Sequence, residues 1–158
     1  MNEAAVHQPT VLIVEPHSDT SEMYGEFLRF HRLSTLRVRS ANEAFEAALT
    51  LKPQADVVVT TIVLPGKHDG VNLVSRLRND LRTRDIGIVV LGTRAYSCDE
   101  QRARAAGCNQ FLLKPCLPAV LLRHVRTLAK CGPGLDAVSQ QTASRRSRSD
   151  RGRFVLEV

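Results

Sequence analysis

Short runs of β-branched and aliphatic residues, each too short for a helix, recur along this chain and alternate with stretches of helical period. Val11-Leu12-Ile13-Val14, Val57-Val58-Val59 and Ile86 to Leu91 are nearly continuous apolar runs. A strand that reads this way has both faces buried, as strands of a parallel sheet do. Leu36-Arg37-Val38-Arg39 instead alternates apolar with charged, the pattern of a half-exposed edge strand. Gln110–Leu113 completes five strands.

The intervening segments carry helix signals. Asp19-x-x-Glu22 fits a capping box, with Met23, Phe27 and Phe30 following on one predicted face. An Ala-rich helix starts at Asn42 or Glu43 and stops before Lys52-Pro53. Val71, Val74, Leu77 and Leu81 mark a third helix. A second capping box, Ser97-x-x-Glu100, opens a fourth that runs through Ala106 to Gly107, a suitable residue just past a helix end. Pro118 opens the last, with Leu121, His124, Val125 and Leu128 on one face. Strictly alternating strands and helices predict an α/β fold with a parallel sheet covered on both sides. Right-handed crossovers leave few topologies, and the flavodoxin-like doubly wound order 2-1-3-4-5 is the expectation. Function then gathers at the carboxyl ends of the strands, where Glu15, Pro16, Thr61 and Lys114 fall.

Composition bounds the rest. At 158 residues, 43% hydrophobic and 24% charged, the chain is an ordinary globular domain. The apolar runs are too short to span a membrane and the N-terminus lacks a signal-peptide layout, so a cytoplasmic location is expected. Cysteines at 98, 108, 116 and 131 form no CxxC pair, and the five histidines are scattered. Neither a disulfide framework nor a metal site is expected. Residues 132–158 differ: rich in Gly, Ser, Gln and Arg around Ser144-Arg145-Arg146-Ser147-Arg148-Ser149, they read as a disordered tail, ending in an apolar patch from Phe154 to Val158. The ordered domain is therefore 10–131.

Several marker residues, in order, resemble those of the receiver domain of two-component response regulators: Glu15 after the first strand, Pro65 and Asp69-Gly70 after the third, and Phe111 with Lys114-Pro115 closing the fifth. The resemblance implies a pocket in which two acids after strand one and an aspartate ending strand three hold Mg²⁺. That aspartate accepts a phosphoryl group whose oxygens the lysine neutralises. A Thr or Ser ending strand four then moves toward the phosphate, and an aromatic residue on strand five turns inward. Hard cations want oxygen ligands, and phosphoryl transfer is largely positioning and charge neutralisation.

Against that pattern this chain departs at three places. Pro16 replaces the second acid. Thr61 replaces the phosphoacceptor when counted from Pro65, or Ile62 when counted from Asp69-Gly70; no Asp or Glu lies between Val57 and His68 under either count. Gly92 replaces the switch hydroxyl, with Thr93 beside it. Phe111 keeps the switch aromatic, as mobile rotamer or as plain core, and a cis peptide at Lys114-Pro115 is implied. Glu15 and Lys114 alone leave a formally neutral pocket, so the Mg²⁺ site and phosphorylation are expected to be lost, and no enzyme activity is expected. The two either pair across the site or remain as solvated remnants.

The implied role is an atypical, stand-alone receiver in two-component signalling, working by protein contact. The implied interface is the face of helix four, strand five and helix five, with Arg94, Tyr96, Arg102, Arg104, Phe111, Leu122, Arg123 and Arg126. It would meet an acidic partner or a second copy. Two other readings remain. The Arg-rich tail could engage nucleic acid or membrane, although no aromatic is interleaved within 144–153 for base stacking. A small enzyme on this fold would need a Gly-rich phosphate loop or a Ser-His-Asp pattern, and neither is present.

Overall fold

A computed structural model of the chain describes residues 7–94 and 98–130. The tail assigned to 132–158, the capping Ser97 and the interface residue Tyr96 lie outside the described residues.

Five parallel strands, β1 (Thr10–Val14), β2 (Ser34–Val38), β3 (Val57–Thr61), β4 (Gly87–Gly92) and β5 (Gln110–Leu113), form one sheet in the order β2-β1-β3-β4-β5. Helices α1 (Ser18–Phe30), α2 (Ala41–Thr50), α3 (Gly70–Asn79), α4 (Cys98–Ala106) and α5 (Pro118–Lys130) connect and follow them. The predicted flavodoxin-like topology is the one observed. Alternation along each strand divides the core. Leu12, Val14, Val58, Ile88 and Val90 face α2, α3 and α4; Val11, Ile13, Val57, Val59, Val89 and Leu91 face α1 and α5. Each such side chain, fully buried, stabilises the fold by about 1.5–3 kcal/mol relative to exposure. Among the described residues no helix is long and apolar enough to cross a membrane.

Local signals held in part. Ser40 caps α2, accepting a bond from the Glu43 N–H, and Asp69 caps α3 through Asn72. Gly107 has a φ of 111°, a left-handed conformation that lets α4 turn into β5. The capping box at Asp19-x-x-Glu22 does not form. The cap position is His17, with no side-chain bond, and Asp19 lies inside the first turn. The face of α1 differs too: Ser21, Tyr24, Gly25 and Leu28 are buried, while Met23 and Phe30 are exposed. Phe27 is partly buried and packs against the core as expected, but the rest of the inner face is set by Tyr24 and Leu28 with the small Ser21 and Gly25 between them. Leu81 lies beyond the end of α3, which stops at Asn79, and is exposed.

One polar staple was not anticipated. The Arg78 guanidinium, on α3, donates to the carbonyls of Gly107 (2.9 Å), Arg84 (2.6 Å) and Ile86 (2.6 Å), and to Asn109 Oδ1 (2.8 Å). Asn109 Oδ1 also accepts from the Ile88 N–H at 2.7 Å. These bonds close the loop ends at the amino-terminal side of β4 and β5, and burial lowers the Arg78 pKa below its usual value. Replacing Arg78 by Ala should lower unfolding stability in urea by about 2–4 kcal/mol, because it leaves partly buried carbonyls without donors. Arg76→Ala, which removes one bond to Asn42 and a stacking contact over Phe45, should cost less than about 1 kcal/mol.

Candidate functional site

The strand order sets the site. Because β1 and β3 are neighbours at the centre of the sheet, with Val14 in register with Thr60, their next residues, Glu15 and Thr61, come together at the carboxyl edge. β4 ends there at Gly92 and β5 at Leu113, whose successor Lys114 donates its backbone N–H to Gly92 O at 2.7 Å. Asp56 stands at the opposite end of β3, where its carboxylate accepts the Thr10 N–H at 2.8 Å and pairs with His7.

Glu15 and Lys114 meet across this edge. Lys114 Nζ lies 3.2 Å from Glu15 Oε2, and the Glu15 side chain is 4% exposed against 26% for Lys114. The other carboxylate oxygen, Oε1, accepts the His17 N–H at 3.1 Å. Both oxygens of the Glu15 carboxylate are therefore engaged, one by an ammonium and one by a backbone amide. Pro16 brings no ligand. Thr61 is buried at the end of β3, and its carbonyl accepts the Thr60 hydroxyl at 3.0 Å. Gly70, opening α3, packs so tightly on the Thr61 carbonyl that a Cβ there would overlap it. The Asp69-Gly70 turn thereby clamps the end of β3.

The loop carrying Lys114 is held from the other face. The peptide between Lys114 and Pro115 is cis, as the resemblance implied; that between Lys52 and Pro53 is cis as well. Tyr24 of α1 donates its hydroxyl to Cys116 O at 2.7 Å. Burial foremost, then the neighbouring Cys116 and Glu15, push the Tyr24 phenol above its ordinary pKa. Tyr24 carries no motif that marks it in the sequence. Its signal was a place on the helix stripe shared by Ser21, Gly25 and Leu28, which only the sheet contact makes visible.

Phe111 is buried and packs in the core on the α3–α4 side. Its ring lies against Gly92: a Cβ on that glycine would overlap Phe111 Cζ and come within 2.9 Å of Cε2. The aromatic thus fills the volume that a side chain at the end of β4 would take. Thr93 and Arg94, next along, are exposed.

The expected interaction face is only partly assembled. Arg102, Arg104 and Arg123 are exposed, but Arg102 pairs with Asp69 and Asp99, both at 3.3 Å, and Arg104 with Glu100 at 3.1 Å. Leu122 is buried against the core beneath α1 and α5 instead of lying on the surface. Arg126 points toward α1, donating to His31 O at 3.4 Å. Period-3.6 placement of α5 could not distinguish its two flanks; packing buried Leu122, while Arg126 stays exposed beside α1.

Comparison with known proteins agrees with this architecture. Residues 11–126 match the family model described as response regulator receiver domain. The chain is 28% identical over 106 residues to the polar-differentiation response regulator DivK of Brucella ovis, covering 67% of this chain and 84% of that protein. It is 27% identical over 126 residues to the phosphate regulon transcriptional regulatory protein PhoB of Pseudomonas aeruginosa, covering 79% of this chain and 54% of that one. Among solved structures, a putative response regulator from Chloroflexus aurantiacus superposes with a TM-score of 0.72 at 27% identity, over 79% of this chain and all of that one. The receiver domain of a histidine kinase from Syntrophus aciditrophicus gives 0.71 at 26% identity, over 77% and 90%. The chain belongs to the response regulator receiver domain family, a component of two-component signalling.

Two outcomes test this geometry. Gly92→Ala should cost about 1–3 kcal/mol through overlap with the Phe111 ring. In a Phe111→Ala background the same change should cost at least about 1 kcal/mol less, a coupling read from a double-mutant cycle of urea melts. Lys114→Met, which strands the buried Glu15 carboxylate, should lower stability by about 1–3 kcal/mol, and the Glu15→Gln, Lys114→Met double variant should recover most of it.

Proposed function

We propose that this receiver domain signals by phosphorylation-independent protein contact in the cytoplasm, neither holding Mg²⁺ nor catalysing phosphoryl transfer. The observation that carries this reading is the pairing at the strand ends. Glu15, the acid that follows β1, is already neutralised by Lys114 at 3.2 Å. A dication at this edge would meet one acid, a prolyl residue and a threonine, which is a poor match to its preference for several oxygen ligands. Among the described residues no basic side chain hydrogen-bonds the Thr61 hydroxyl, and an unactivated hydroxyl is a weak nucleophile toward phosphorus.

The Phe111 ring seated over Gly92 supports a domain that keeps one state. Gly92 offers no hydroxyl whose movement the ring would accompany, and moving the ring would leave a void over the glycine, which dense cores resist. With acceptor, second acid and switch hydroxyl all replaced, regulation falls to whatever binds the surface. The face of α4, β5 and α5 is the proposed contact for a protein partner or a second copy. It displays Arg94, Arg102, Arg104 and Arg123, together with exposed Leu113 on β5 and Leu117 ahead of α5.

Intact-mass measurement after incubation with Mg²⁺ and acetyl phosphate should show no added phosphoryl group, under conditions that label a receiver bearing an aspartate at this position. An adduct of one phosphoryl mass, mapped to residues 57–70, would end the reading.

A further inference from the structure

Arginines that form no ion pair among the described residues also line the opposite edge of the sheet. β2 is the edge strand beyond β1, and between it and α1 runs a cleft of about 440 Å³ lined in part by Glu15, Ser18, Arg29, Thr35, Arg37 and Arg39. Of these, Glu15 is matched by Lys114. Among the described residues, no Asp or Glu carboxylate forms an ion pair with Arg29, Arg37 or Arg39. The nearest acidic link is from Glu43, whose carboxylate accepts the backbone N–H of Arg39 at 3.1 Å.

The backbone of this edge is open as well. Ser34 donates its N–H to Pro9 O at 2.8 Å, and Val38 O accepts the Glu15 N–H at 3.1 Å, so these residues turn their backbone groups toward β1. By the two-residue period of a strand, the N–H and C=O of Thr35 and Arg37 point away from the sheet. In register with Val11 and Ile13, Thr35 and Arg37 carry their side chains on the α1 side. The Arg37 stem crosses α1 at Gly25, where a Cβ would lie 3.1 Å from Arg37 Cδ. That glycine lets a long cationic side chain lie along the helix with its head in solvent. Arg39 follows two residues on.

We propose that this edge docks an extended acidic segment of a protein partner as an added strand beside β2. Main-chain bonds to Thr35 and Arg37 would supply affinity, as in β-strand addition. Acidic residues at alternate positions of the segment fall on the same face as Arg37 and Arg39, within reach of their planar forks. Leu36, 36% exposed, offers the apolar contact on the other side of the strand. A second copy of the chain fits poorly, since pairing two β2 edges brings like charges together. A nucleic acid would find no aromatic platform, because no aromatic side chain lines the cleft among the described residues. The inference goes beyond the role proposed for the α4, β5 and α5 face and holds whether or not the strand-end site takes a phosphoryl group.

The test uses the full-length, isotope-labelled chain and a blocked nonapeptide alternating Glu with Thr and Val. The expected result is binding that weakens with salt, with the largest amide shifts at Thr35 and Arg37. Arg37→Glu with Arg39→Glu should weaken it at least tenfold, whereas Arg123→Glu should leave it unchanged. Thr35→Pro removes one outward donor from an edge strand without altering charge, and should also weaken binding; a thermal melt establishes that each variant is folded. The proposal is overturned by absence of binding, by shifts confined to α4, β5 and α5, or by an affinity indifferent to the two arginines. Tighter binding of a single-stranded oligonucleotide through the same arginines would overturn it too.

Discussion

Burial of both faces of a parallel sheet is the constraint on which the rest of this structure depends. Parallel strands leave two apolar surfaces, and crossover helices must cover each. The odd and even residues of β1, β3 and β4 therefore feed two separate cores, one under α1 and α5, the other under α2, α3 and α4. Once the crossovers are laid down, the order 2-1-3-4-5 places the ends of β1, β3, β4 and β5 along one edge. Everything discussed as a site is a consequence of that placement. Arg78 and Asn109 do the complementary task at the opposite edge, by saturating carbonyls that the crossovers leave exposed.

At the carboxyl edge, chemistry and packing substitute for each other. A buried carboxylate demands a counter-charge or strong donors, and Glu15 has Lys114 and the His17 amide. The missing side chain at Gly92 is likewise compensated, since the Phe111 ring occupies its volume. The proposed loss of phosphotransfer thus need not leave a defect. The same fold is retained with its polar centre closed by an ion pair and its switch position closed by an aromatic.

Much of this was legible along the chain, for a physical reason that also explains the failures. Continuous runs such as Val57-Val58-Val59 and the punctuation at Pro53, Gly107 and Pro118 depend on local preferences, and they located every strand and most helix ends. That Glu15 and Lys114 share one edge of the sheet followed from strand order, while their pairing did not. The inner face of α1 followed only in part: Phe27 packs against the core, but Met23 and Phe30 are exposed and the sheet selected Ser21, Tyr24, Gly25 and Leu28. Tyr24 and Arg78 were missed because their partners are mostly backbone carbonyls, and a carbonyl leaves no mark in a sequence. The Arg102–Asp69 contact was likewise unmarked, since the two lie 33 positions apart, whereas the Arg102–Asp99 and Arg104–Glu100 pairs are local to one helix.

The sequence by itself determined the fold class, the strand order and the absence of any carboxylate between Val57 and His68. These rest on apolar period, turn chemistry and residue identity, all local properties. Only the tertiary structure decided that Lys114 reaches Glu15, that Phe111 lies in the space over Gly92, and which arginines lack an acidic neighbour. Those facts depend on distances between residues up to 99 positions apart, and side-chain packing sets such distances after the backbone topology is complete.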